Sequence, residues 1–168
     1  MLGGLIDAAF AVLLYVGLPA LFVFFVLKGA LIGKPLPTSV FLPGYVLAIG
    51  ADRMETAVIV ATTSSGYVIG QLVIYSAARR GGRSSIEAAP RVSVSPERLD
   101  QVERYFERYG GFGVFITNFV PYLRGLILVP AGIAKYPVAP LVCYAFTSTA
   151  IYHTAIVVVA VGAFQAVF

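Results

Sequence analysis

Thr117-Asn118-Phe119-Val120-Pro121-Tyr122-Leu123-Arg124-Gly125-Leu126-Ile127-Leu128-Val129-Pro130-Ala131-Gly132 sets one guanidinium among apolar residues and interrupts them with two prolines. Pro121 and Pro130 each remove a backbone donor, and Gly125 and Gly132 loosen the chain between them, so a straight membrane span is not expected here. An arginine at membrane depth is costly, and Arg124 must therefore face a partner, a water-filled cavity or a phosphate-bearing ligand. A broken, re-entrant helical hairpin meets both demands. Such hairpins are a common way to build a translocation site.

Downstream, Lys135 and Pro137 mark a return to the interface, and Val138 to Phe168 reads as a full span with His153 well inside it. That imidazole is a candidate for proton coupling and equally for a hydrogen-bonded structural role. Upstream, Ser95-Pro96-Glu97 predicts a helix start with Ser95 as the capping residue. Leu99, Val102 and Phe106 then recur at helical spacing between charged positions. This predicts an amphipathic interfacial helix that Gly110-Gly111 ends.

The N-terminal half has the same parts. Leu5 to Leu27 is apolar apart from Asp7 and predicts a first span, with Lys28 and Lys34 snorkelling to the interface. Lys34 to Ala51 is short and carries Pro43-Gly44, which predicts a second re-entrant hairpin, bounded by Asp52-Arg53-Met54-Glu55. Thr56 to Ala78 is the next full span; its Gly66 and Gly70 form a small-xxx-small pair suited to helix packing, and they permit a homodimer. Phe41-Leu42-Pro43 and Phe119-Val120-Pro121 repeat one triplet in two interrupted stretches, each followed by a full span. That is the mark of an inverted repeat. The expected fold is an all-α integral membrane protein. It has about three spans, two re-entrant hairpins and one interfacial helix, divided as 1–30, 31–80, 81–110 and 111–168.

Composition agrees: 59% of the 168 residues are hydrophobic and 12% charged, and the mean hydropathy is +0.89, outside the range of soluble domains. The formal net charge of +4 is concentrated around Arg79, Arg80, Arg83 and Arg91, which places the 79–110 loop and the N-terminus in the cytoplasm by the positive-inside rule. No basic surface interleaved with aromatics points to nucleic acid. Cys143 is alone and reads as a small core residue. A lone histidine with few intramembrane carboxylates supplies no enzymatic constellation, and no metal or cofactor is implied.

The order of Pro43-Gly44, a Gly66-xxx-Gly70 span, a basic loop with an amphipathic helix, and Phe119-Val120-Pro121-Tyr122-Leu123-Arg124 followed by Ala131-Gly132 resembles the DedA family, also called the SNARE-associated Golgi or VTT-domain family. The resemblance runs from about Leu31 to Phe164. It implies a small polytopic protein that flips or scrambles phospholipids or polyprenyl-phosphate carriers between leaflets. Position by position, Arg124 matches the family's second hairpin arginine, a phosphate-binding or gating group. Asn118 stands where the family usually has its first arginine, and Tyr45 where an acid usually follows Pro-Gly. Asp52 and Glu55 are candidate substitutes for that carboxylate in proton or ion coupling, and equally candidate helix caps. The expected substrate cleft is lined by Arg124, Asn118, Tyr45, Pro43, Gly44 and Pro121. The other readings are an ion-coupled solute or drug exporter on the same hairpins and a non-transporting scaffold.

Overall fold

The structure, a computed structural model, describes residues 2–32, 37–87, 95–120 and 123–167. Among these every regular element is helical: α1 Leu2–Val16, α2 Leu18–Gly29, α3 Thr38–Ala48, α4 Arg53–Glu87, α5 Pro96–Tyr109, α6 Gly111–Thr117, α7 Leu128–Ile133 and α8 Val138–Val167. Two stretches, Arg53–Gly82 and Val138–Ala166, are long and apolar enough to cross a membrane. The outer face of α8 exposes Ile151, Val158 and Val159, an apolar surface that suits lipid better than water.

The expected first span is not one helix. Gly17 takes φ 74, ψ −144, a conformation that glycine adopts without strain, and α2 restarts with proline in its first turn. Helices of 15 and 12 residues replace a single rod, so among the described residues two helices, rather than about three, are long and apolar enough to cross a membrane. Lys28 is half-buried near the end of α2.

α2 and α3 run antiparallel: Phe24 and Phe41 have ring centroids 5.1 Å apart, and Tyr45 Oη lies 3.7 Å from the position of a Cβ on Gly17. α3 is one helix through Pro43, so the described part of Lys34–Ala51 does not turn back at Pro43-Gly44, and α3 lies instead beside α2. The second hairpin leaves and returns at one end, because Gly111 packs on the Tyr136 ring and Phe106 meets Tyr136 edge-on at 5.8 Å. Its legs are α6 and α7. The two tips meet, with Leu31 Cδ2 3.4 Å from the Cβ position of Gly125.

Around the long helices the packing is reciprocal. α2 and α7 lie on α4, while α6 and α3 lie on α8, and α4 contacts α8. Exchanging α2-α3-α4 with α6-α7-α8 maps each of these contacts onto another. Under that exchange Pro43 in α3 corresponds to Pro130 in α7 rather than to Pro121. The repeated Phe-aliphatic-Pro triplets thus fall on unlike elements: Phe41-Leu42-Pro43 is inside the second leg of its hairpin, and Phe119-Val120 follows the first leg of the other.

Gly66 and Gly70 face α2, where a Cβ on Gly66 would come within 2.7 Å of the Phe22 carbonyl oxygen and one on Gly70 within 2.6 Å of Ala30 N. That face is covered within the chain and is not free to pair with a second copy. In α5, Leu99 and Val102 are fully buried and Arg98, Arg104, Glu107 and Arg108 are exposed. Ser95 precedes it in extended conformation but makes no side-chain cap; its carbonyl accepts instead from Arg98 N and Leu99 N.

Candidate functional site

Among the described residues eight polar side chains are buried between the long helices and α6–α7: Thr63, Ser64, Gln71, Thr117, Asn118, Ser148, Thr149 and His153. Helical spacing aligns them. Thr63, Tyr67 and Gln71 are four residues apart and share a face of α4, and Ser148 and Tyr152, like Thr149 and His153, are stacked one turn apart on α8.

Arg124 reaches into this layer from the turn at Leu123–Ile127 and is half-buried. Its Cζ lies 4.2 Å from the ring centroid of Tyr67 and 4.2 Å from that of Tyr152. Tyr67 is 14 residues from Arg53, and Tyr152 is 14 residues from Val138 and 14 from Ala166. At 1.5 Å per residue that is about 21 Å from the helix ends, which puts the guanidinium at mid-depth of both long helices. Nη2 comes within 3.5 Å of His153 Nε2. On the other side of the imidazole, Nδ1 lies 3.1 Å from Thr63 Oγ1 and 3.3 Å from Ser64 Oγ. Because Thr63 Oγ1 donates to the Val60 carbonyl, it accepts from Nδ1–H, and this leaves the Nε2 lone pair facing Arg124. His153 thus links α4, α8 and the hairpin tip.

The charge at this depth is one-sided. Among the described residues the guanidinium faces two tyrosine rings and an imidazole and no carboxylate; Lys28 is near enough for its charge to be felt. The rings stabilise a desolvated cation by about 2 kcal/mol through their quadrupoles, which offsets only part of the burial cost. Among the described residues three buried polar atoms, Arg124 Nε, Gln71 Oε1 and Thr149 Oγ1, have no partner.

The other sequence candidates fall in different places. Asn118 is fully buried, accepting from Gln71 Nε2 at 3.0 Å and donating to Ser148 Oγ at 2.8 Å. Tyr45 and Pro43 are buried at α3, where Tyr45 packs with Leu13, Leu21 and Phe25; Gly44 lies against Phe10. Pro121 is outside the described residues. Arg124, Asn118 and Tyr45 therefore do not line one open cleft. Asp52 and Glu55 form a reciprocal capping box at the start of α4, with Asp52 N donating to Glu55 Oε2 at 2.9 Å and Glu55 N to Asp52 Oδ1 at 2.7 Å. Both are exposed and belong to the helix end. Asp52→Ala is expected to lower stability by about 1 kcal/mol, read as a small drop in melting temperature, while leaving any transport rate and its pH dependence unchanged.

Tyr67, Tyr152 and Gln71 escaped the motif reading. The signal that would have found them is a row of hydrogen-bonding side chains at four-residue intervals in each apolar span.

These elements define an all-helical membrane protein with a cationic polar layer halfway along its two long helices. The chain belongs to the VTT domain family, which matches residues 18–164. It is 38% identical over 114 residues to the uncharacterized membrane protein YkoX of Bacillus subtilis, covering 66% of this chain and 51% of that protein. It is 31% identical over 105 residues to undecaprenyl phosphate transporter A of the same organism, covering 61% and 52%. An alkaline phosphatase-like protein of Lactococcus lactis is 29% identical over 140 residues, covering 77% and 62%. The chain spans about half the length of the first two of these relatives. No solved structure matches it.

Proposed function

We propose that this chain moves a phosphate-bearing lipid between leaflets, with Arg124 receiving the phosphate at mid-depth. The observation that carries this reading is the ring-held guanidinium at the centre of both long helices, which faces no carboxylate among the described residues. A lipid phosphate supplies the missing negative charge through paired hydrogen bonds, while the chains remain in hydrocarbon. The similarity to a protein named for undecaprenyl phosphate transport favours a polyprenyl phosphate over a phospholipid. Two hairpins entering from opposite faces, tips touching, and the reciprocal packing around α4 and α8 support an inverted repeat. The close packing of Asn118 and Tyr45 corresponds to an occluded state, and rocking one hairpin-helix unit against the other opens it to each side in turn. By the charge rule the 79–110 loop faces the cytoplasm.

The test is transport in proteoliposomes containing labelled polyprenyl phosphate and labelled phospholipid. Wild type is expected to move the polyprenyl phosphate, and Arg124→Ala to slow it by about a hundredfold. Equal rates for the two would overturn the role of Arg124. Flux of soluble cations driven by a proton gradient, with no lipid movement, would replace this reading with a solute exporter.

A further inference from the structure

We infer that a recess of about 410 Å³ at the base of the second hairpin, lined by Tyr75, Ser76, Arg79, Arg80, Lys135 and Val138, is a second binding site for a phosphate anion. It lies at the end of α4 remote from Arg53, and is separate from the Arg124 layer. Two chain segments far apart in sequence converge there, because Gly132 packs on the α4 backbone beside Tyr75 and Arg79.

Of the three cations, Arg79 has its guanidinium and Lys135 its backbone set in place. Arg79 Nη1 donates to Tyr75 Oη at 2.8 Å, and Tyr75 Oη donates in turn to the Tyr136 carbonyl at 2.6 Å. That chain of bonds fixes the direction of one guanidinium. Lys135 occupies the left-handed position that closes α7, at φ 52. Lys135 N donates to the Gly132 carbonyl and Tyr136 N to the Ala131 carbonyl, both at 2.9 Å, the pattern in which glycine is the residue at ease. A lysine held there strains the backbone and brings a third positive charge to the recess. Among the described residues no carboxylate lines it. Ser76 adds a hydroxyl, and α8 begins at Val138 on its edge, presenting the positive end of its dipole. Three like charges with hydroxyl donors suit a phosphate monoester or diphosphate. Both a lipid headgroup at the interface and free phosphate offer that chemistry.

Equilibrium binding of farnesyl phosphate and of inorganic phosphate, measured by calorimetry on the full chain in zwitterionic nanodiscs at fixed ionic strength, tests the site. An Arg124→Gln background removes the central layer, so failure here is separable from failure of the transport reading. Lys135→Gly is expected to weaken binding by about tenfold while raising the melting temperature, because the strain is relieved as the charge is lost. Lys135→Arg is expected to bind within about threefold of the parent. Inorganic phosphate competing as well as farnesyl phosphate assigns the recess to a soluble anion, and binding of farnesyl phosphate alone assigns it to a lipid headgroup. The inference is overturned if neither probe binds, or if Lys135→Gly and Arg80→Gln both bind as the parent does. A melting temperature lowered by Lys135→Gly would overturn the argument from strain.

Discussion

Arg124→Lys is expected to slow phosphate-lipid transport nearly as far as Arg124→Ala, by about a hundredfold, even though it keeps the charge. The reason is shape. The guanidinium carbon is 4.2 Å from each of two tyrosine ring centroids, a spacing that holds a flat, delocalised cation and leaves its edge donors for a ligand. An ammonium on a flexible stem offers no flat face to the rings and no pair of parallel donors to two phosphate oxygens. Losing two charge-assisted hydrogen bonds amounts to about 3 kcal/mol, which is the hundredfold. Tyr67→Leu and Tyr152→Leu, made singly, are expected to give intermediate losses of about tenfold, since each leaves one ring in place. The measurement is the initial transport rate in proteoliposomes reconstituted to equal protein content. A lysine variant running at half the wild-type rate or better would reduce Arg124 to a generic positive charge and remove the rings from the mechanism.

The sequence carried the helical class and the position of the charged centre, because both depend on strong local signals. A guanidinium between two prolines in an apolar run has few places to go, and Arg124 does reach the middle of the structure. Harder to read were the elements whose form depends on partners. Leu5–Leu27 is apolar apart from Asp7, so hydropathy joined what Gly17 separates; one glycine in a long apolar run weighs little until its φ is seen. Pro43-Gly44 looked like the turn of a hairpin, yet Pro43 lies inside α3. A proline in a helix interior removes one backbone donor and crowds the carbonyl four residues back, yet Pro43 sits five residues into α3, in a helix that buries Phe41, Leu42 and Val46 and whose packing outweighs that local cost.

The layer around Arg124 was half legible. His153 stood out as the single histidine, but its two-sided contact with Thr63 and Arg124 joins residues 90 and 29 positions away, beyond any motif. Asn118 followed the same logic in reverse. It stands where the family usually has an arginine, and the structure places it between Gln71, from which it accepts, and Ser148, to which it donates. A neutral amide that donates and accepts can join two helices at that point, which an arginine, having no acceptor, cannot do in the same geometry.

Gly70→Ala is expected to be the most disruptive single-methyl change in the chain. A Cβ at Gly70 would fall on the Val26 carbonyl oxygen and come within 2.6 Å of Ala30 N and 2.8 Å of Gly29 C. All three are backbone atoms of α2 and its end, so no side-chain rotation makes room, and the helices must separate. Opening that crossing removes Phe25 and Leu21, both fully buried, from their packing and shifts the first hairpin, whose tip touches Gly125. Overpacking against backbone costs about 3 kcal/mol, which for a chain of this length lowers the melting temperature by about 10 °C. Gly162→Ala is the matched control: nothing lies within 4 Å of its Cβ position, and alanine there is expected to raise stability slightly by its higher helix propensity. Thermal unfolding of both variants in one detergent or nanodisc preparation reads the difference. If Gly70→Ala melts within about 2 °C of wild type, α2 does not cross α4 at backbone contact. The first hairpin would then lack the support that brings its tip to the second.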